Sequence, residues 1–259
     1  MIPNIVNETP LVSVVMPCYN SAETIERSIE AVLAQTYKNI ELLIVSDGSS
    51  DETVVIIRRY SLLDGRVVLI EFDDNKGVSV ARNAAISVAK GRFLAFCDAD
   101  DYWYMGKLST QIELLEKSNS AVCHASCDLI DDSGVTVGLR SFPEIVTYKM
   151  MRHRNYICNS GGLYDTTKLP VVLQRKIYHE DYLMWLELLS DAGFSVGSKK
   201  PLLMYTINPN GLSGNKFKSL VGGIKIQREH GLGWFECALN IFLNIGSRVV
   251  FLLLPSWRS

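Results

Sequence analysis

The sequence predicts an α/β fold, with a mostly parallel central sheet flanked by helices and a C-terminal amphipathic helical tail. Two observations carry the sheet. Through roughly the first hundred residues, short β-branched runs alternate with helical patterns, which is the pattern of βαβ units. Runs such as ELLIV and RFLAF are continuously apolar, as suits strands covered on both faces. The third observation is the stretch Trp234 to Leu254, apolar except for Glu236, Asn240, Asn244 and Arg248, which would form one narrow polar stripe on a helix.

Taken in order, strands are expected over Leu11 to Met16, Ile40 to Val45, Val67 to Phe72 and Phe93 to Cys97. Helices fall between them. Ser21 precedes the segment Ala22 to Gln35, Asp51 precedes Thr53 to Leu62, and Ser79 stands near the start of a segment closed by Lys90-Gly91. Right-handed crossovers would stack these strands in one sheet. After Asp101 the pattern is mixed: a helix around Lys107 to Lys117, strands about an Asp132-Ser133-Gly134 turn, a Ser160-Gly161-Gly162 segment, and a helix from Asp181 to Leu189. The expected division is a domain over 1–215, its 1–104 half facing a donor and its 105–215 half an acceptor, followed by the tail over 216–259.

Composition narrows the function classes. A chain of 259 residues, 47% hydrophobic and 21% charged, is long enough for one sizeable domain and falls in the ordinary globular range. A formal net charge of −2 leaves no basic footprint for nucleic acid. The opening MIPNIVNETP has neither a basic nor an apolar leader region, so a cytoplasmic location is expected. The cysteines at 18, 97, 123, 127, 158 and 237 show no paired C-x-x-C spacing, and buried thiols are expected.

In an open parallel sheet, ligands bind beyond the carboxyl ends of the strands. Three polar segments fall there: Pro17-Cys18-Tyr19-Asn20, Ser46-Asp47-Gly48-Ser49-Ser50-Asp51 and Asp98-Ala99-Asp100-Asp101. The last is the strongest signal. Hard divalent cations take carboxylate oxygens and share their shell with substrate phosphates, so acids at a strand end suit a diphosphate-metal site, although an isolated D-x-D is more often only a turn. Asn75-Lys76-Gly77 leads into a helix carrying Arg82, whose fork suits a donor phosphate or a bridge to the acidic loop. His179-Glu180-Asp181 opens an amphipathic helix, where Asp181 is either an N-cap or, opposite a donor site, a general base.

Assembled, these residues resemble the family 2 inverting glycosyltransferases of the nucleotide-diphospho-sugar-transferase (GT-A) fold. The resemblance runs from Val12 to about Ser213 through VSVVMPCYNSAETIERSIEAVLAQTYKNIELLIVSDGSSDET, NKGVSVARNAAISVAKGRFLAFCDADD and HEDYLMWLEL. It implies that Pro17, Tyr19, Glu23 and Asp47 line a nucleotide pocket, joined by Asn75, and that Arg82 and Asp98 hold the donor. It also implies that Asp100 is the ligand of Mn²⁺ or Mg²⁺, and that Asp181 is the catalytic base beside Glu180. Two departures stand out: Ser46 replaces a common first Asp, and Tyr205-Thr206-Ile207-Asn208 replaces a Tyr-Arg-x-His stretch, which removes the family's His there and puts a third protein ligand in doubt.

The resemblance further implies a UDP-sugar donor and a polyprenyl-diphosphate-linked saccharide acceptor in bacterial O-antigen or capsule synthesis. A hexose, glucose or galactose, would join an N-acetylhexosamine in a β-linkage. The tail, with Lys216, Lys218, Lys225 and Arg228 before it, would lie on the inner face of the cell membrane, or else pack as a core or dimer helix. A nucleotidyltransferase would need a glycine-rich basic loop after the first strand, and a dehydrogenase G-x-G-x-x-G; neither is present. The remaining rival is a non-catalytic sugar-nucleotide binder or scaffold.

Overall fold

A computed structural model of the chain describes residues 9–131, 133–207, 216–240 and 242. The first four strands, β1 (Val12–Cys18), β2 (Ile40–Asp47), β3 (Val67–Phe72) and β4 (Phe93–Phe96), are mutually parallel in the order β3-β2-β1-β4. Between them run α1 (Ile25–Leu33), α2 (Thr53–Leu63) and α3 (Val78–Val88). The second half contributes β5 (Tyr102–Trp103), α4 (Lys107–Ser118), β6 (Val122–Ile130), β7 (Thr136–Arg140), β8 (Ile145–Thr147) and α5 (Tyr148–His153). A 3₁₀ turn (Asn159–Gly161), β9 (Leu163–Asp165), α6 (Glu180–Ala192), β10 (Phe194–Thr206) and α7 (Lys216–Glu229) follow.

The sheet continues past β4 as β9-β6-β10-β5, with β7 beside β6 and β8 beside β10. Here it is mixed: β6 and β10 are parallel, whereas β9, β5, β7 and β8 pair antiparallel. Strand alternation divides the core between the two faces. Val12, Val14 and Met16 of β1 pack with Leu42 and Ile44 of β2 against α1, α2 and α4. Val15, Leu43 and Val45 face α3 and α6. Continuous apolar runs are therefore needed in β1 and β2, since both sides of each strand are dry.

Several boundaries differ from the sequence expectation, each for a local reason. β1 runs on through Pro17 and Cys18, which pair with Val45 and Ser46. Pro17 has no N–H, yet it is tolerated because β4 pairs with β1 only as far as Val15, where Cys97 N–H donates to Val15 O at 3.0 Å. α1 starts at Ile25 and not Ala22, because the N–H groups of Thr24 and Ile25 both turn back to Ser21 O, at 3.0 and 2.9 Å. α3 starts at Val78 behind Gly77, whose φ of 98° is open to glycine. Ser79 lies inside its first turn and does not cap it.

The Ser160-Gly161-Gly162 segment makes room for the core. A Cβ on Gly162 would lie 2.1 Å from Trp185 Cζ2. Trp185, on α6, is fully buried and meets Phe96 and Tyr164 edge-on at 5.5 and 6.2 Å. This packing holds α6 against β4 and β9. All six cysteines are free and buried.

α7 docks on the same side: Ile226 enters the core beside α6, and Gln227 Nε2 donates to His153 O at 2.9 Å. Residues 234–240 are helical. Asn240 turns toward the domain, its Oδ1 3.1 Å from His153 Nδ1, while Trp234, Phe235 and Phe242 are exposed at 70, 81 and 72%. Asn244 and Arg248 of the expected stripe, and Asn208, lie outside the described residues. No helix among the described residues is long and apolar enough to cross a membrane.

Candidate active site

The loops beyond β1 and β2 are laced together before any ligand arrives. Asn20, in the left-handed region at φ 47°, accepts from Ser50 N through Oδ1 at 2.8 Å, and its own N–H donates to Ser49 Oγ at 3.1 Å. Asp51 accepts from Ala22 N and Thr53 N, both at 3.1 Å, joining the first loop to the start of α2. Gly48 is required: at φ 72° a Cβ there would come 2.6 Å from Asn75 N.

Asp47, buried at the end of β2, accepts from Lys76 N at 2.7 Å and Gly77 N at 2.8 Å. Its two oxygens thereby satisfy amides at the entrance of α3, fixing the segment that carries Asn75. Tyr19 is half exposed at the mouth of these loops, a flat surface suited to a base. Asn75 and Glu23 are exposed, and Pro17 lies buried within the strand.

Arg82 joins the two acidic segments. Its Nη2 donates to Asp98 Oδ1 at 2.7 Å, while Nη1 donates to Glu180 Oε1 at 2.8 Å and to Gln174 Oε1 at 3.1 Å. Asn159, with its amide oxygen turned to the guanidinium, accepts from Arg82 Nε at 3.2 Å. Burial works against this charge, but Asp98 and Glu180 outweigh it and hold the guanidinium above its ordinary pKa. The 98–101 loop and the start of α6, far apart in sequence, thus meet on one buried cation.

The acidic loop is braced from the opposite side. Arg27 Nη2 donates to Asp100 O at 2.9 Å, and Thr206 Oγ donates to the same carbonyl. Thr206 N–H donates to Asp101 Oδ1 at 2.9 Å, and Asp98 N–H to Ser160 Oγ at 3.0 Å. Burial, then Asp100 and Asp98, push the Asp101 carboxyl well above the usual carboxylate range, so Asp101 serves as a strut. Asp100 differs: among the described residues no side chain hydrogen-bonds its carboxylate, and burial, then Asp98, raise it to about 6. Arg27 and Arg82 offset that rise only in part, so a crowded carboxylate of this kind fits a hard divalent ion completed by donor phosphates. No group of three or more acidic, His or Cys side chains among the described residues would hold a metal unaided.

Asp181 follows Glu180 in the first turn of α6. His179, before them, is left-handed at φ 65°, and its Nε2 lies 3.0 Å from both Ser219 O and Ser219 Oγ on α7. Burial, then the Glu180 charge, push the Asp181 carboxyl up to about 6, in the range suited to a base working near neutrality. Glu180 is committed to Arg82, whereas Asp181 forms no ion pair among the described residues.

The site thus gathers Asp98, Arg82, Glu180 and Asp181 through one set of contacts, with Asp100 on the same loop as Asp98. Tyr19, Asp47 and Asn75 belong to the neighbouring loops beyond β1, β2 and β3. Sequence reasoning missed Arg27, Asn159, Ser160 and Gln174. Each acts through a contact of long sequence separation: Arg27 stands unmarked within the first quoted motif and Ser160 within the Ser160-Gly161-Gly162 segment, whereas Asn159 and Gln174 sit in no motif; Thr206 was visible only as a departure.

The profile described as glycosyl transferase family 2 matches residues 13–178. Two similar proteins of Escherichia coli, WfaP and WfgD, are each named as a UDP-Glc:α-D-GlcNAc-diphosphoundecaprenol β-1,3-glucosyltransferase. WfaP is 34% identical over 86% of this chain and 87% of its own, and WfgD 37% identical over 81% and 82%. Among solved structures, the mannosyltransferase PcManGT from Pyrobaculum calidifontis, in complex with GDP-Man and Mn²⁺, superposes with a TM-score of 0.62. That likeness covers 96% of this chain and 82% of the other at 15% identity, and establishes a shared fold.

Proposed function

The chain belongs to glycosyl transferase family 2, and from that premise we propose that it transfers glucose from UDP-glucose to GlcNAc on a polyprenyl diphosphate, forming a β-1,3 linkage. The single observation behind this donor and acceptor is the likeness to WfaP and WfgD across most of the chain, since both carry that activity in their names. UDP-galactose is the competing donor.

The geometry supports a direct displacement with inversion. Tyr19 offers a face to the base, and the lacing of Asn20, Asp47 and Asp51 keeps the nucleotide loops in place without the ligand. Asp100 would hold a divalent ion, which when bound supplies Lewis-acid stabilisation of the leaving diphosphate. Asp181 takes the proton of the acceptor hydroxyl as that oxygen attacks the anomeric carbon. Glu180 and Asp98, clamped by Arg82, fix the start of α6 against the acidic loop, so the base is positioned before substrate binds.

A peripheral seat on the membrane's inner face belongs to the same proposal. Trp234, Phe235 and Phe242 point outward beyond a helix that carries Lys218 and Lys225, an arrangement suited to an anionic lipid surface.

The test is UDP release in Mn²⁺ from UDP-glucose and UDP-galactose, with and without a GlcNAc-diphosphate-lipid acceptor, comparing the wild type with Asp100→Ala. Release that depends on acceptor, prefers UDP-glucose and is lost in the variant is expected. Binding of UDP with no release from either donor would favour the scaffold reading.

A further inference from the structure

We propose that Arg140, stacked on Tyr205, is the anchor for the acceptor's diphosphate. This rests on the transferase reading above and deepens it by naming where the charged part of the acceptor binds.

The arginines of the first half are already committed. Arg27 holds Asp100 O and Thr206, Arg58 and Arg59 pair with Glu71 and Glu26, Arg66 with Asp64, Arg82 with Asp98 and Glu180, and Arg92 with Asp165. Arg140 makes no side-chain hydrogen bond or ion pair among the described residues. Its guanidinium lies 4.9 Å from the centre of the Tyr205 ring, a stacked position that leaves the N–H edge available to an anion. It is partly buried, so the charge is not simply dissolved in water.

Its place in the fold selects the ligand. Arg140 ends β7, opposite Cys127 of β6, and Tyr205 precedes Thr206, which holds Asp101 and the Asp100 carbonyl. Because the next residue, Thr206, bonds both Asp101 and the Asp100 carbonyl, Tyr205 stands beside the acidic loop. The nucleotide loops leave β1 and β2, on the other side of β4; Arg140 and Tyr205 stand on β7 and β10, beyond β9. An anion at Arg140 therefore belongs to the group arriving opposite the donor. An acceptor diphosphate brought up to a site that already holds the donor diphosphate is repelled by it, and a cation with no acid of its own offsets that repulsion.

The experiment is calorimetric binding to the full chain in the presence of UDP and Mn²⁺, using two probes: a short-chain alkyl GlcNAc-α-diphosphate and the matching alkyl GlcNAc glycoside without phosphate. Arg140→Ala is expected to weaken the diphosphate probe by about tenfold or more, the scale of a lost charge-assisted contact, while the uncharged glycoside and UDP bind as to wild type. Arg140→Lys, which keeps the charge and loses the fork, is expected to fall between. Unchanged binding of the diphosphate probe to Arg140→Ala overturns the assignment, as does a loss confined to UDP or a wild type that does not bind the probe. Should these binding results hold while no sugar is transferred, the proposed reaction fails and the Arg140 assignment stands.

Discussion

Replacing Arg82 by Met tests whether one cation organises the site. The guanidinium side chain is 6% exposed and its partners Asp98 and Glu180 are 26 and 15% exposed, so all three charges are largely withdrawn from water. Removing one member of a buried ion pair leaves the other uncompensated, at a cost of about 3–5 kcal/mol. Here two carboxylates lose their partner together, and Met fills much of the volume, so the loss is electrostatic in origin. Glu180→Gln in the same chain should then recover about 1–2 kcal/mol, because one of the two uncompensated carboxylates becomes neutral. Urea denaturation of the metal-free protein at neutral pH measures all three variants. A cost below about 1 kcal/mol for Arg82→Met, or strict additivity with Glu180→Gln, would refute the argument. The same variant should lose turnover while retaining UDP, since the tie between α6 and the acidic loop is broken and the β1 and β2 loops are not.

Four further outcomes follow from the geometry. Asp181→Asn should lower kcat by about 10²- to 10⁴-fold with UDP affinity retained, and wild-type turnover would remove Asp181 from the base role. Because the Asp181 carboxyl is raised to about 6 in the folded protein, by burial and then Glu180, kcat should fall as pH drops below about 6; a limb near pH 4 in the rate profile would contradict this. The sign for stability is opposite: a raised folded pKa contributes stability that is lost as pH rises through about 6, so Asp181→Asn should melt higher than wild type at pH 8. Truncation after Gly231 removes Trp234, Phe235 and Phe242 and should move the protein from sedimented anionic vesicles to the supernatant, and retention on the vesicles would disprove the anchor.

The parallel half of the sheet was legible because its signals are local. Apolar runs and the glycine-led turns between them depend on neighbours within a few residues, and β2, β3 and β4 appear where their runs stand. Glycine positions could be marked but not explained. Gly162 is needed because Trp185, more than twenty residues on, occupies the space of its Cβ, and Gly48 because the chain near Asn75 passes over it. The β9, β8 and β5 strands were not legible at all, being two or three residues long, too short for a period to register.

The site divides along the same line, and the division bears on how it works. Asp47 is implied by the resemblance to line a nucleotide pocket, and its oxygens also lie on the amides of Lys76 and Gly77, nearly thirty residues away, where they do the work of a helix cap. Arg82 reads as a phosphate ligand or an acid bridge with equal force, and the meeting of Asp98 with Glu180 on its guanidinium shows the bridge. In both cases a charged side chain is engaged inside the protein, and Asp100 and Asp181, which form no ion pair among the described residues, keep raised pKa values because burial and a neighbouring acid outweigh the pull of the nearby cations. Those two are the groups a metal-bearing donor and an acceptor hydroxyl would each relieve, one by bringing positive charge and the other by giving up a proton. The committed residues fix where the uncommitted ones stand, and the proposed reaction assigns its chemistry to the uncommitted ones.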